Sequence, residues 1–210
     1  MSHGMPQRRR KVRGFTLLEL LIVIAVVSIL LGFLLPALAG GLRAARGVEC
    51  LNNLRSLGQA LAMYRNENNS LLPFADRFAD ARLGWLAPFD TLAKYLDVPA
   101  PHLDQHGDVL SGPPFVDRSD YAFGTHPSGI SYRYEPILFM NMWPMPAAQT
   151  VTSLWYAADP TAGVISDYYS THNGATNVLL MDGSVQSDSG IVDHTPRGKF
   201  PDSQLPPGFR

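Results

Sequence analysis

Residues 8 to 19 read Arg8-Arg9-Arg10-Lys11-Val12-Arg13-Gly14-Phe15-Thr16-Leu17-Leu18-Glu19, and the run from Leu20 to Leu38 that follows is apolar apart from Ser28, Gly32 and Pro36. A basic cluster stops at Gly14, an apolar segment opens at Phe15, and one carboxylate, Glu19, lies just inside it. From Leu20 to Leu42 there are 23 residues without a charge. That exceeds the ~20 needed to cross a hydrocarbon core ~30 Å thick. An ionised side chain costs roughly 2.5–3.5 kcal/mol at the centre of such a helix, and less near its end. A segment that had only to be apolar has no use for Glu19, so the glutamate points to function.

Outward from this stretch, the composition limits what the rest can be. The 210 residues suffice for one domain plus an anchor. The formal charge of −1 conceals an asymmetry: residues 1–14 carry five basic side chains and no acidic one, and the remainder has 12 Lys+Arg against 18 Asp+Glu. The body therefore lacks the basic stripe that neutralises phosphates, and no nucleic-acid partner is predicted. A single cysteine, Cys50, excludes an intrachain disulfide framework and a cysteine-based zinc site.

Three readings fit the N-terminal segment. The basic residues, apolar run and Ala37-Leu38-Ala39-Gly40 resemble a secretory signal peptide with its cleavage site. Against this, Phe15 to Leu35 is 21 residues, longer than the usual ~7–15 of such a region. A plain signal anchor explains the length, and the basic side sets its N-terminus in the cytoplasm, but it leaves Glu19 unexplained. Third, Gly14-Phe15-Thr16-Leu17-Leu18-Glu19 resembles the processing site of type IV pilins and type II secretion pseudopilins. The resemblance implies cleavage after Gly14 by a prepilin peptidase and N-methylation of Phe15. It also implies that Glu19 pairs with the N-terminal amine of a neighbouring subunit during assembly. Pro36 stands where that family places a proline in the same helix, and with the loosening by Gly32, Gly40 and Gly41 it predicts a kink or strained turn.

Beyond Gly41 the pattern becomes amphipathic. Cys50, Leu54, Leu57, Leu61 and Tyr64 follow one another at intervals of 4, 3, 4 and 3, which is one face of a helix. Asn66, Asn68, Asn69 and Ser70, followed by Pro73, predict its end. One helix is therefore expected from about Phe15 to about Asn68, on the order of 80 Å long. Cys50 falls on the apolar seam and reads as a small buried hydrophobe. The stretch from Cys50 to Pro73, with its Asn-Leu and Ala-Leu pairs, its Tyr64 and its Asn-rich turn, also resembles pseudopilins.

The remainder is rich in proline, glycine and aromatic residues. Phe89 to Leu96 reads as a short helix, Ile130 to Glu135 as a strand, and Leu154 to Asp159 as a second strand ended by Pro160. Asp182-Gly183 between apolar runs predicts a hairpin. His172, nine residues, then Asp182-Gly183 resembles a C-terminal signature of prepilin-processed proteins. His172 and Asp182 beside Ser170 and Ser184 also admit a hydrolase reading, but no Gly-x-Ser-x-Gly elbow is present and a structural role for both is expected. Asp159, Asp167, Asp182 and Asp188 are weak calcium candidates without the spacing of a calcium loop. No other cofactor is expected. His102 and His106, four apart, would suit zinc on a helix, but Pro99, Pro101 and Gly107 predict a loop.

The expected protein is a non-enzymatic, pilin-like α+β chain: a long N-terminal helix whose second half packs on a small antiparallel sheet with long irregular loops. Its parts are a basic leader (1–14), a transmembrane or filament-core helix (15–42), an amphipathic continuation (43–70) and a globular periplasmic or extracellular head (71–210). The resemblance implies a single-pass inner-membrane precursor, and as partners the prepilin peptidase, other subunits in a homo- or hetero-filament, an inner-membrane assembly platform, and the lipid bilayer before assembly. A monomeric anchored or secreted envelope-binding protein with a conventional signal sequence is the alternative.

Overall fold

The computed structural model describes residues 15–117, 128–141, 145–167, 175–188 and 196. Gly14 and His172 lie outside them. The described residues form two compact units, one ending at Leu42 and the other beginning at Arg43.

Helix α1 (Leu17–Glu67) is 51 residues long and runs unbroken through Pro36, which removes one helical N–H donor without ending the helix. It stops where Asn69 and Ser70 turn left-handed, at φ 52° and 64°. The Asn68 side chain and main-chain N–H both donate to the Tyr64 carbonyl, at 2.8 and 3.0 Å. In the first unit every residue from Phe15 to Leu42 is exposed. Ser28, a polar break in the apolar run, spends its hydroxyl on the Ile24 carbonyl at 2.7 Å.

In the second unit α1 buries Cys50, Asn53, Leu54, Leu57, Ala60 and Leu61. These are the predicted seam up to Leu61 plus small or polar residues beside it, while Tyr64, the last residue of the predicted seam, is half-buried. The chain continues through α2 (Phe89–Leu96), a small hairpin of β1 (His102–Leu103) and β2 (Val109–Leu110), then β3 (Tyr132–Tyr134), α3 (Ile137–Met140), α4 (Ala147–Ala158), β4 (Gly163–Asp167), β5 (Thr176–Leu180) and β6 (Val185–Asp188). Strands β3-β4-β5-β6 form one antiparallel sheet in sequence order. Among the described residues, the α1 seam, α2, Tyr132, Tyr134, Ile165 and Leu179 belong to one core, so the second unit is α+β with the helix laid on the sheet.

The expected strand at Leu154–Asp159 is instead the end of α4. The helix buries Ala148, Val151, Thr152 and Tyr156, a spacing of three and four residues that starts upstream of the aromatic pair. Its side chains also replace a strand partner: Ser153 Oγ accepts from the Leu72 N–H and Gln149 Nε2 donates to the Leu72 carbonyl, both at 2.8 Å.

α1 meets β5 at Gly58. A Cβ placed there would stand 2.8 Å from Leu179 Cδ1, and Leu179 is fully buried, so it has little room to retreat. Gly58→Ala is expected to lose stability. Overpacking costs about 1–3 kcal/mol, against a helix-propensity gain of about 1 kcal/mol. Gly32→Ala, where a Cβ meets nothing within 4 Å, should not destabilise. Thermal unfolding of the two full-length variants in detergent checks the contrast, and equal melting temperatures would refute the close approach.

Candidate functional site

The N-terminal site is a reciprocal cap. Thr16 precedes the first residue of α1 and donates its main-chain N–H and its hydroxyl to Glu19 Oε2, both at 2.9 Å. The Glu19 N–H donates back to Thr16 Oγ1 at 3.2 Å. Thr-x-x-Glu at a helix start is a capping box, in which two orphan N–H groups find acceptors. The sequence spells this motif, yet the reading above gave Glu19 only an external partner; the chain supplies one itself. Both Thr16 donors go to the same oxygen. Phe15, at 76% exposure, stands clear of the cap.

In the head, Asp182 and Gly183 form the β5–β6 turn, as their spacing predicted. It is a three-residue loop, Met181-Asp182-Gly183, closed by Gly183 N–H to Leu180 O at 3.0 Å and Leu180 N–H to Ser184 O at 2.8 Å. Gly183 has φ 86°, a left-handed conformation that a side chain would strain. Asp182 Oδ1 accepts the Ser184 N–H at 2.8 Å, and that bond holds its carboxyl below the usual range. Its N–H donates to Pro160 O at 3.0 Å.

Beneath the sheet, Cys50 is the hub of a buried polar cluster that the sequence does not announce. Asn177 Nδ2 donates to Cys50 Sγ at 3.3 Å and Tyr132 OH at 3.7 Å, while the thiol points at Asp167 Oδ1, 3.7 Å away. Asp167 Oδ2 accepts the Asn177 N–H at 2.9 Å. Burial, then the nearby Asp167 and Asp117 carboxylates, push the thiol far above its ordinary range, which makes it a neutral packing group and not a nucleophile. Burial likewise raises Tyr132 and Tyr134.

The four candidate calcium aspartates do not form one group. Asp159 lies beside the Asp182 turn, since Pro160 and Ala162 receive the N–H groups of Asp182 and Met181. Asp167 ends β4, where β5 begins, and Asp188 faces Thr176 across the same end of the sheet. Four residue steps along β4 separate the two pairs by roughly 13 Å. Asp159 Oδ1 is occupied by Thr161, from N at 3.0 Å and Oγ1 at 2.7 Å. Among the described residues no three His, Cys, Asp or Glu side chains are grouped to hold a metal. His102 opens β1 and His106 sits in the following turn, so they share no helical face, consistent with the predicted loop.

The chain combines a long exposed apolar helix, capped by its own glutamate, with a small α+β unit. Residues 9–35 match the family profile described as the prokaryotic N-terminal methylation motif. The chain is 35% identical over 75 residues to the type II secretion system core protein G of Vibrio cholerae, covering 36% of this chain and 51% of that protein. To the protein of the same name from Pectobacterium carotovorum it is 39% identical over 68 residues, 32% of this chain and 42% of the relative. To the type IV wide pilus major component PilA4 of Thermus thermophilus it is 39% identical over 61 residues, 29% and 47% of the two chains. The chain thus spans about half the length of the curated relatives it matches, and these relatives are structural components, not enzymes. No solved structure matches.

The Asp182 turn has a pH signature. Its carboxyl is depressed in the folded chain, so its contribution is present above the unfolded carboxylate range and is lost as pH falls through the folded value. Asp182→Asn keeps an oxygen acceptor for Ser184 but cannot titrate. Acid titration of unfolding should show a smaller loss of stability below about pH 4 in the variant than in the parent; identical profiles would place the acid sensitivity elsewhere.

Proposed function

We propose that this chain is the precursor of a filament subunit of a type II secretion pseudopilus or a type IV pilus-like fibre. A prepilin peptidase cuts after Gly14 and Phe15 becomes the N-methylated end. The subunit crosses the inner membrane once, with its N-terminus in the cytoplasm and its head in the periplasm. It leaves the bilayer by joining other subunits through α1 at an inner-membrane assembly platform.

The observation that carries this reading is the exposure of every residue from Phe15 to Leu42. So large an apolar surface demands lipid or the helices of other copies, and α1 is the one helix among the described residues long and apolar enough to cross a membrane. The cap refines the part played by Glu19. Within one chain Thr16 serves Oε2 alone, and a carboxylate in an apolar setting gains from a further cationic partner. Cleavage after Gly14 creates such a cation, the amine of Phe15, on every neighbouring subunit.

N-terminal sequencing of the mature protein is expected to begin at Phe15; a start at Gly40 would instead identify a conventionally secreted, signal-peptidase product. Glu19→Gln separates the two roles of the glutamate, because glutamine can still close the capping box but offers no charge. It should be cut normally and be lost from sheared filaments, as should Glu19→Ala. Normal incorporation of Glu19→Gln would reduce the residue to a helix cap.

A further inference from the structure

Charge is segregated along the exported part of the chain. Residues 43–70 carry four arginines against two glutamates, while residues 71–210 carry eight basic against fifteen acidic side chains. Arg43 and Arg46 precede Cys50 by seven and four positions, so they extend the buried seam of α1 on the same helix face. Along that face Cys50 is buried, Gly47 is half-buried, and both arginines are exposed. The seam therefore ends, toward the apolar stretch, in a basic step. In the head, Asp90 to Asp108 holds four acidic residues, Asp90, Asp97, Asp104 and Asp108, against Lys94. Asp97 and Asp108 are exposed. The main-chain N–H groups of Asp108 and His106 hold Asp104 Oδ1 at 2.8 Å each, and they keep its carboxyl below the usual range.

We propose that the Arg43–Arg46 step of one copy receives the acidic Asp90–Asp108 segment of a second copy of this chain, a contact that rests on the filament reading above. Complementary charge of this kind fixes register and rejects wrong partners more than it adds affinity. Anionic phospholipid is the rival occupant of two arginines just past an apolar stretch. The head's own charge, seven acidic residues in excess over residues 71–210, is repelled by an anionic lipid surface and attracted to a basic step on a neighbour.

The test uses full-length chains in the producing cell. Arg43→Glu/Arg46→Glu is expected to be cut after Gly14 like the parent and to lower the yield of sheared filaments on the order of tenfold. Asp97→Asn/Asp108→Lys should also lower it; asparagine tolerates the left-handed backbone of residue 97, at φ 53°. The four substitutions combined should restore the yield. Undiminished yield in Arg43→Glu/Arg46→Glu, or no recovery in the combined variant, would overturn the contact. The lipid alternative predicts that Arg43→Glu/Arg46→Glu alone weakens binding to phosphatidylglycerol vesicles and that the acidic-segment changes do not rescue filaments. A parent chain that starts elsewhere than Phe15 or makes no filament would overturn the filament reading itself, and this contact with it.

Discussion

The approach of α1 to β5 at Gly58 sets the geometry of the head. With no Cβ on that residue, Leu179 packs directly on the helix backbone, and the seam residues on either side, Leu54, Leu57 and Leu61, come down onto the same core. Each such leucine contributes about 1.5–3 kcal/mol by leaving water. A glycine inside a helix costs about 1 kcal/mol relative to alanine. The close approach offsets that cost by closing the gap that would leave the seam underpacked. The sheet is consequently held against the helix by its third strand, and β4 and β6 flank that anchor on either side.

Next to this apolar contact lies the polar cluster of Cys50, Asn177, Asp167 and Tyr132. A buried carboxylate without hydrogen bonds would be strongly destabilising; here Asp167 takes the main-chain N–H of Asn177 on one oxygen and faces the thiol with the other. The bonds tie α1 to β3, β4 and β5, four segments remote in sequence. Apolar packing tolerates small slips along a helix, whereas this set of donors and acceptors matches in one register only. The cysteine therefore behaves as part of an alignment device, and its raised pKa is a by-product of burial.

The legible parts of this protein were those written in local spacing. The Gly14–Glu19 stretch, the apolar run, the seam from Cys50 to Tyr64, the helix at Phe89–Leu96 and the Asp182-Gly183 turn each depend on residues a few positions apart. The misread segment, Leu154 to Asp159, failed for the same reason. Six residues with two aromatics look extended, and the helical period becomes visible only from Ala148. The Cys50 cluster joins residues up to 127 positions apart, and no spacing rule reaches that far. The four aspartates show the converse: residues 159 to 188 look close in sequence, but a strand running between them carries two to each end of the sheet.

Glu19 draws the local and the intermolecular levels together. A carboxylate four residues into an apolar segment first reads as a charge waiting for a partner, and the capping box shows that the chain already gives it one. The cap does not remove the need for a cation, since neutral donors from Thr16 stabilise a carboxylate without cancelling its charge. It fixes where the carboxylate sits: Thr16 holds Oε2 against the first turn of α1, next to residue 15. In the proposed filament, a cut after Gly14 would place a new positive amine one residue before that cap on every subunit, each amine matched to a carboxylate whose position is already set. A glutamate free to rotate would have to be ordered at the moment of association, at a cost in side-chain entropy of up to about 2 kcal/mol. Preordering it by a threonine three residues earlier removes that cost from the association step, so the residue that starts the helix also prepares the one that would join the next.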